Sequence, residues 1–172
     1  MTTDGSDSAR VQGADDIKWM RLALQEALLG GVEIGDCEDA ELQVQDMPIG
    51  ALIVSDGELI VRSKNRKEAL GDPTAHAEIQ VIREAARKLG SWRLDGLTIY
   101  TTLEPCPMCA EAILQSRISR VVFGAYDPIS GALGSAFNLY GCKRLYPIPE
   151  VTGGVLEEEC AQALKEFFRE RK

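Results

Sequence analysis

Hydrophobic positions along the 172-residue chain follow two spacings, one typical of strands and one typical of helices. Apolar, β-rich runs predict strands at residues 49–54, 59–63, 97–103 and 120–124, and a strand or extended segment at 150–152. Apolar residues three and four positions apart predict helices from about residue 15 to 29, 72 to 89, 105 to 116 and 156 to 171. Because strands alternate with helices, we predict an α/β sheet layered with helices.

Capping and turn residues set the predicted boundaries of these elements. Asp15 or Asp16 can cap the first helix, and Asp72-Pro73-Thr74 is a start signal for the second. Pro105 is predicted to open the third helix in the same way. Ser55-Asp56-Gly57-Glu58 separates two β-rich runs and predicts a hairpin.

Two polar segments lie outside the predicted elements. Residues 1–14 are predicted to be a disordered acidic tail before a single domain at 15–172. Residues 31–46 hold six acids and no base, which indicates a solvated loop. The tail lacks the features of a signal or transit peptide, and no apolar run approaches the roughly 20 residues that span a bilayer. We therefore expect a cytoplasmic protein without a membrane segment.

The net charge of −8 is unevenly distributed along the chain. Residues 1–46 contain eleven acids and three bases, whereas residues 47–172 contain sixteen of each. The excess negative charge therefore belongs to the tail, the first helix and the loop that follows it. The remainder can still present a basic face to a nucleic acid.

Five cysteines are present, and two of them form the pair Cys106-x-x-Cys109. An odd number with one close pair favours metal or redox chemistry over a disulfide framework. Cys37, Cys142 and Cys160 have no ligand-like neighbours, so we assign them no role.

One imidazole joins this pair as a candidate ligand, because His76 is the only histidine of the chain. One nitrogen and two sulfur ligands suit Zn²⁺ and leave a fourth position for water, as in catalytic zinc sites. His76 and the cysteines are predicted at helix N-termini, where the helix dipole favours thiolate. Glu78, two residues after His76, can approach such a water and carry protons.

Other interpretations exist for each half of this pattern. A Cys-x-x-Cys alone can be a redox pair or half of a structural zinc site, and a His-Ala-Glu alone usually has no function. The combination of both halves at helix starts, with a strand leading into the second, favours a catalytic zinc site.

His76-Ala77-Glu78 together with Pro105-Cys106-Pro107-Met108-Cys109 resembles the signature of zinc-dependent nucleobase deaminases. Within that cytidine/deoxycytidylate deaminase superfamily, further blocks resemble the bacterial tRNA-specific adenosine deaminases; they lie at residues 19–21, 48–51, 65–66, 72–79, 102–109, 116–118, 124–128 and 131–135. The last two are the most specific to that family. The resemblance covers residue 17 to the end of the chain.

The resemblance implies a three-layer α-β-α, cytidine-deaminase-like fold with a central mixed sheet of about five strands. It implies hydrolytic deamination of adenosine to inosine at the wobble position of tRNA anticodons. His76, Cys106 and Cys109 would hold one Zn²⁺ per subunit, and Glu78 would be the proton shuttle for a zinc-activated hydroxide that attacks adenine C6.

The resemblance also implies substrate contacts and partners. Asn65 matches an asparagine that hydrogen-bonds the flipped nucleoside, and Asp127 matches an aspartate beside the substrate backbone. We treat Glu104 as a structural residue before the cysteine turn. The implied partners are the anticodon stem-loop of tRNA and a second subunit in a homodimer.

Three features bear on how a large substrate docks. The segment 140–146 lacks the histidine that the family usually carries, and the acidic loop 31–46 is longer than usual. The C-terminal helix fits either an RNA-facing element or a solvated helix end; its basic residues are Lys165, Arg169, Arg171 and Lys172.

Alternative functions remain open. A zinc-dependent deaminase of a free base or nucleoside, of the guanine or cytosine type, would share the zinc core, but the block at 124–135 favours the tRNA enzymes. A riboflavin-pathway deaminase fits less well, because its second cysteine follows at a longer spacing. A non-catalytic zinc-binding subunit of the same fold would not need Glu78.

Overall fold

The computed structural model describes residues 6–29, 45–141 and 146–171, and its centre is a five-stranded mixed sheet. The strands are β1 (Gly50–Ser55), β2 (Glu58–Lys64), β3 (Thr98–Leu103), β4 (Arg120–Ala125) and β5 (Glu150–Thr152). The helices are α1 (Ser6–Leu28), α2 (Lys67–Leu70), α3 (Ala77–Leu89), α4 (Pro107–Gln115) and α5 (Glu157–Arg169).

The strand order in the sheet is β2-β1-β3-β4-β5. Strand β1 pairs antiparallel with β2, through the predicted hairpin, and antiparallel with β3. Strands β3, β4 and β5 are parallel to one another, and helical segments connect them. The predicted mixed sheet is thereby confirmed.

Helices cover both faces of this sheet, because alternate residues of the inner strands are apolar on both sides. Ala51 and Ile53 of β1 pack on one face, in a core that includes residues of α3 and α4. Leu52 and Val54 pack on the other face, in a core that includes residues of α1 and α5. The result is the predicted three-layer α-β-α arrangement.

Helix α1 lies unusually close to the sheet at Gly50. A Cβ atom at this residue would lie 2.1 Å from the backbone oxygen of Ala23 and 2.8 Å from the backbone nitrogen of Ala27. Any larger side chain would force the helix away from β1, so the glycine is required by this close approach.

The starts of α1 and α3 differ most from their predictions, and both predictions were wrong. Helix α1 begins at Ser6, because residues 6–14 contain no proline and several good helix formers, so Asp16 lies inside the helix instead of capping it. Helix α3 begins at Ala77, because Asp72 accepts hydrogen bonds from the Thr74 backbone N–H and hydroxyl and closes a separate turn.

Helix α4 begins at Pro107, two residues later than predicted, and the short helix α2 was not predicted. Helix α1 includes part of the predicted tail, and residues 1–5 lie outside the described residues, so the domain boundary at residue 14 stays a prediction. Cys37, Cys142 and the acidic loop at 31–44 also lie outside the described residues. Within residues 6–29, 45–141 and 146–171, no helix is both long and apolar enough to cross a membrane.

Candidate metal centre

The three candidate ligands meet where α3 and α4 begin. His76 is the N-cap residue of α3, and Cys106 is the N-cap residue of α4. Cys109 follows three residues later, so it lies on the same side of the first turn of α4 as Cys106. Both helices pack on one face of the sheet, and α4 starts just beyond the carboxyl end of β3.

The distances between these side chains fit one tetrahedral zinc ion. His76 Nδ1 lies 3.7 Å from Cys106 Sγ and 3.5 Å from Cys109 Sγ, and the three ligand atoms lie within 4.8 Å of one another. Zinc–sulfur and zinc–nitrogen bonds of about 2.3 and 2.05 Å at a tetrahedral angle separate sulfur from nitrogen by about 3.6 Å. Nδ1 is therefore the ligand atom of His76 that this geometry selects.

The two cysteines differ in how readily they lose a proton when no metal is bound. A hydrogen bond from the Cys109 thiol, followed by the contact with His76, lowers the pKa of Cys106 to about 4. The same sulfur–sulfur hydrogen bond raises the pKa of Cys109, which holds the proton of the pair when no cation is present. The Cys106 contact likewise raises the pKa of His76. Binding of a divalent cation would displace these protons, because zinc coordinates thiolate and neutral imidazole.

Glu78 is buried beside this centre, in the first turn of α3, with 4% of its surface exposed. Loss of solvation is the main reason that its pKa is raised to about 7, and the contact with the Cys109 thiol lowers the pKa by a smaller amount. A carboxyl group with a pKa near 7 can both accept and donate a proton at neutral pH, which is the requirement for a general acid/base.

Asn65 lies next to the same turn. The backbone N–H of Arg66 donates a hydrogen bond to the Ala75 oxygen at 2.9 Å, which holds residues 65–66 beside the residues that precede α3. Asn65 itself is 7% exposed, and its side-chain amide lies 3.5 Å from an oxygen of Asp46. The structure therefore places the buried Asn65 beside the segment that leads into His76.

Comparison with known proteins identifies the family. The model of the family described as "Cytidine and deoxycytidylate deaminase zinc-binding region" matches residues 15–125, which include all three ligands and Glu78. The chain belongs to this family of zinc-dependent deaminases. The deaminase is thus an enzyme that hydrolyses a carbon–nitrogen bond, and zinc is its metal.

Similar proteins share most of its length. A tRNA-specific adenosine deaminase of Bacillus subtilis is 52% identical over 125 residues, which are 73% of this chain and 78% of the relative. A protein of the same name from Haemophilus influenzae is 43% identical over 167 residues, covering 96% and 90% of the two chains. A solved structure from a study of A-to-I editing by tRNA:A34 deaminases is 44% identical, with a TM-score of 0.75, and the match covers 86% of this chain and 99% of that one.

Glu104 joins the cysteine turn of the deaminase to the loop after β4. Its carboxylate accepts hydrogen bonds from the backbone N–H groups of Asp127, Leu133 and Ser135 at 3.1, 2.9 and 3.1 Å, and from the Ser135 hydroxyl. Gly131 makes room for it, since a Cβ there would lie 2.4 Å from the carboxylate. The structural role predicted for Glu104 is confirmed.

Asp127 lies at the start of this loop, and its carboxylate caps the following turn. One oxygen accepts hydrogen bonds from the backbone N–H groups of Ile129 and Ser130 at 2.9 and 3.1 Å. The structure does not bring this carboxylate to the three metal ligands. A contact with the substrate backbone therefore stays a prediction for this residue.

Sequence reasoning missed Asp46, which organises the Asn65 side of the deaminase site. The Asp46 carboxylate accepts hydrogen bonds from the backbone N–H groups of Glu68 and Ala69 at 2.8 and 3.1 Å, so it caps the short helix α2. A cap that lies more than twenty residues before its helix leaves no local signal. The acid-rich composition of residues 31–46 instead indicated a solvated loop.

Proposed function

We propose that this deaminase converts adenosine to inosine at the wobble position of a tRNA anticodon. The observation that carries the proposal is a complete set of reactive side chains within a chain that resembles tRNA adenosine deaminases over nearly its whole length. Deaminases of free bases and nucleosides share the reactive core, so the core alone does not distinguish a tRNA substrate from a small-molecule substrate. The similarity of the loop and helix regions around the core supports the macromolecular substrate.

The reaction adds water to adenine C6 and releases ammonia. When bound, zinc supplies the Lewis acidity that makes water nucleophilic near neutral pH. Glu78 accepts a proton from the attacking water and transfers it to ring nitrogen N1, and it then carries the remaining proton of the C6 hydroxyl to the departing amine. The C6–N bond breaks, a C6–O bond remains, and inosine and ammonia are the products.

The side chains around the centre hold the target base. The buried Asn65 amide is assigned to hydrogen bonds with the flipped nucleoside, and Asp127 to the substrate backbone. Flipping the base out of the anticodon loop costs little, because a loop nucleotide has no pairing partner to lose. The proposal thus uses Asn65 for positioning and Glu78 for proton transfer.

Helix α5 is assigned to the RNA-facing side. Lys165, Phe168 and Arg169 lie three and four positions apart on one exposed side of this helix, and Phe168 is 52% exposed. Cationic and aromatic groups together suit phosphates and bases. We further propose that the enzyme acts in the cytoplasm as a homodimer.

Product analysis tests the function directly. Purified protein is incubated with an arginine tRNA that carries a wobble adenosine and, separately, with guanine, cytosine and cytidine. We expect inosine at the wobble position, read by sequencing, and no ammonia from the small molecules. Ammonia released only from a free base or nucleoside would refute the tRNA assignment.

A further inference from the structure

The loop that follows α3 exposes a tryptophan between two arginines. Trp92 is 62% exposed, and the guanidinium carbons of Arg93 and Arg117 lie 5.7 and 5.6 Å from the centroid of its ring. The Arg117 guanidinium also lies 3.4 Å from the ring centroid of Tyr146. We call these four residues the aromatic–arginine cluster.

Local contacts hold both guanidinium groups in place. Nη1 of Arg117 donates hydrogen bonds to the backbone oxygens of Leu114 and Gln115 at 3.2 and 3.0 Å, at the carboxyl end of α4. Nε and Nη2 of Arg93 donate to the Asp95 carboxylate at 3.0 and 3.1 Å. The exposed indole therefore lies beside two guanidinium groups that are already held in place. This order reduces the entropic cost of binding a planar ligand.

The backbone of Arg117 is itself unusual. Its φ of 67° lies in the left-handed region, where a glycine is the common residue after a helix end. A non-glycine residue has a steric cost there. The Arg117 side chain makes hydrogen bonds to the end of α4 and lies against the rings of Trp92 and Tyr146, and these contacts stabilise the residue in this conformation.

Charge points to the kind of partner. The guanidinium groups of Arg93 and Arg117 lie in the cluster, and Arg93 pairs with the carboxylate of Asp95, so the positive charge of Arg117 is in excess there. Residues 47–172 are neutral as a whole, so this local excess is a feature of the cluster. An exposed indole beside cations matches an unpaired nucleobase with its phosphates, since bases stack on aromatic rings and phosphates attract guanidinium groups.

The cluster is separate from the metal centre. Helix α4 carries Cys106 at its amino end and leads into Arg117 at its carboxyl end. Its nine residues correspond to a length of about 14 Å. A nucleotide on the cluster is therefore a different one from the target adenosine.

We propose that the aromatic–arginine cluster is a second RNA-contact surface, on which Trp92 stacks against an unpaired nucleotide of the substrate tRNA. The identity of the RNA rests on the proposed function, whereas the stacking contact does not require turnover.

Tryptophan fluorescence tests the contact, because the chain has two tryptophans and Trp19 is only 7% exposed. The full-length arginine tRNA with a wobble adenosine is titrated into the purified protein. We expect quenching of the Trp92 emission on binding, and no quenching in the Trp92→Phe variant, which keeps an aromatic ring and most of the affinity. Trp92→Ala should raise the Kd by about fivefold or more, the equivalent of losing one stacked base.

Arg87→Ala is the matched control, because it removes an exposed cation from the last turn of α3 outside the cluster. It should leave the quenching intact. Sedimentation and thermal melting are measured for every variant, and both should be unchanged. Absence of quenching in the wild-type protein, an unchanged Kd in Trp92→Ala, or a change of oligomeric state in Trp92→Ala would overturn the proposal.

The result is independent of the deamination assay. Quenching with no inosine formed would refute the proposed reaction and leave the RNA-contact surface standing. Inosine formed without quenching would support the proposed reaction and refute the RNA-contact surface.

Discussion

Two buried carboxylates, at opposite ends of the parallel strands, have contrasting surroundings. Asp16 of α1 is 6% exposed, and its two oxygens accept hydrogen bonds from Arg120 at 2.7 and 2.8 Å and one from the Tyr100 hydroxyl at 2.8 Å. Glu78 is 4% exposed, and desolvation dominates its environment. One carboxylate is neutralised by a guanidinium, whereas burial raises the pKa of the other to about 7 in the metal-free chain.

The contrast separates a structural from a chemical use of the same group. The Asp16 contacts raise the pKa of Arg120, and burial followed by the hydrogen bond to Asp16 raises the pKa of Tyr100, so the charged pair and the neutral phenol are both stabilised. Arg120 also bonds Glu150 and Thr152, and the cluster thereby joins α1 to three strands. At Glu78 the sequence leaves a buried acid ready to exchange a proton, which stability alone does not favour.

The largest expected effect is the loss of activity in Glu78→Ala. Without the proton carrier, kcat should fall by roughly 10²- to 10⁴-fold, while zinc content and the circular dichroism spectrum stay unchanged. Single-turnover deamination of the tRNA and metal analysis provide the two measurements. Glu84→Ala, an exposed acid on the same helix, serves as the control. Activity within tenfold of wild type would exclude Glu78 as the shuttle.

At the other end of the strands, Asp16→Asn should change stability and spare the chemistry. The substitution removes the negative charge of Asp16 and leaves the partly buried Arg120 without this ion-pair partner. The free energy of unfolding should therefore fall by about 3 kcal/mol. Denaturant unfolding measures the loss, and kcat at a temperature well below the melting transition should be that of wild type. Asp15→Asn makes the same substitution at an exposed neighbouring residue and should leave the free energy of unfolding unchanged. Equal stabilities for the two variants would contradict the structural role of the ion pair.

Glu104→Gln should have a smaller effect, because an amide can still accept some of the hydrogen bonds. Its NH₂ group would face donors in the loop after β4, so the expected destabilisation is about 1–3 kcal/mol. Zinc content should not change. A melting temperature equal to that of Glu84→Gln would show that the network around Glu104 contributes nothing.

The smallest effect concerns the pH dependence of the metal-free protein. The pKa of Glu78 is 4.5 in the unfolded reference and about 7 in the folded chain, so the folded state binds the proton more tightly. This contribution to stability is complete below pH 4.5 and is lost as the pH rises through 7. Thermal melts at pH 5 and 8 should show a decline that is weaker in Glu78→Gln. An identical decline in both proteins would assign it to other groups.

Local sequence patterns predicted those parts of the fold that depend on local physics. The alternation of apolar residues in β1 and the turn at Asp56 and Gly57 predicted the hairpin and the two-sided burial of the sheet. The spacing of Cys106 and Cys109 predicted two ligands on one side of a helix start. The structure brings His76 to them as that pattern required.

A competing local turn and contacts between distant residues account for what the sequence did not reveal. The Asp72-Pro73-Thr74 signal closes a turn of its own, so α3 starts later than expected. Asp16 had a plausible local use as a cap, but its partners Tyr100 and Arg120 are 84 and 104 residues away. The Glu104 carboxylate likewise accepts hydrogen bonds from backbone N–H groups that lie 23 to 31 residues further along the chain.

Metal analysis of the purified protein tests the central claim most directly, by comparing the wild-type chain with Cys106→Ala and His76→Ala. We expect one zinc ion per wild-type chain, and loss of both zinc and tRNA deamination in each variant, because three ligands share one ion. A wild-type protein that deaminates tRNA while free of zinc, or variants that keep a full zinc ion, would contradict it.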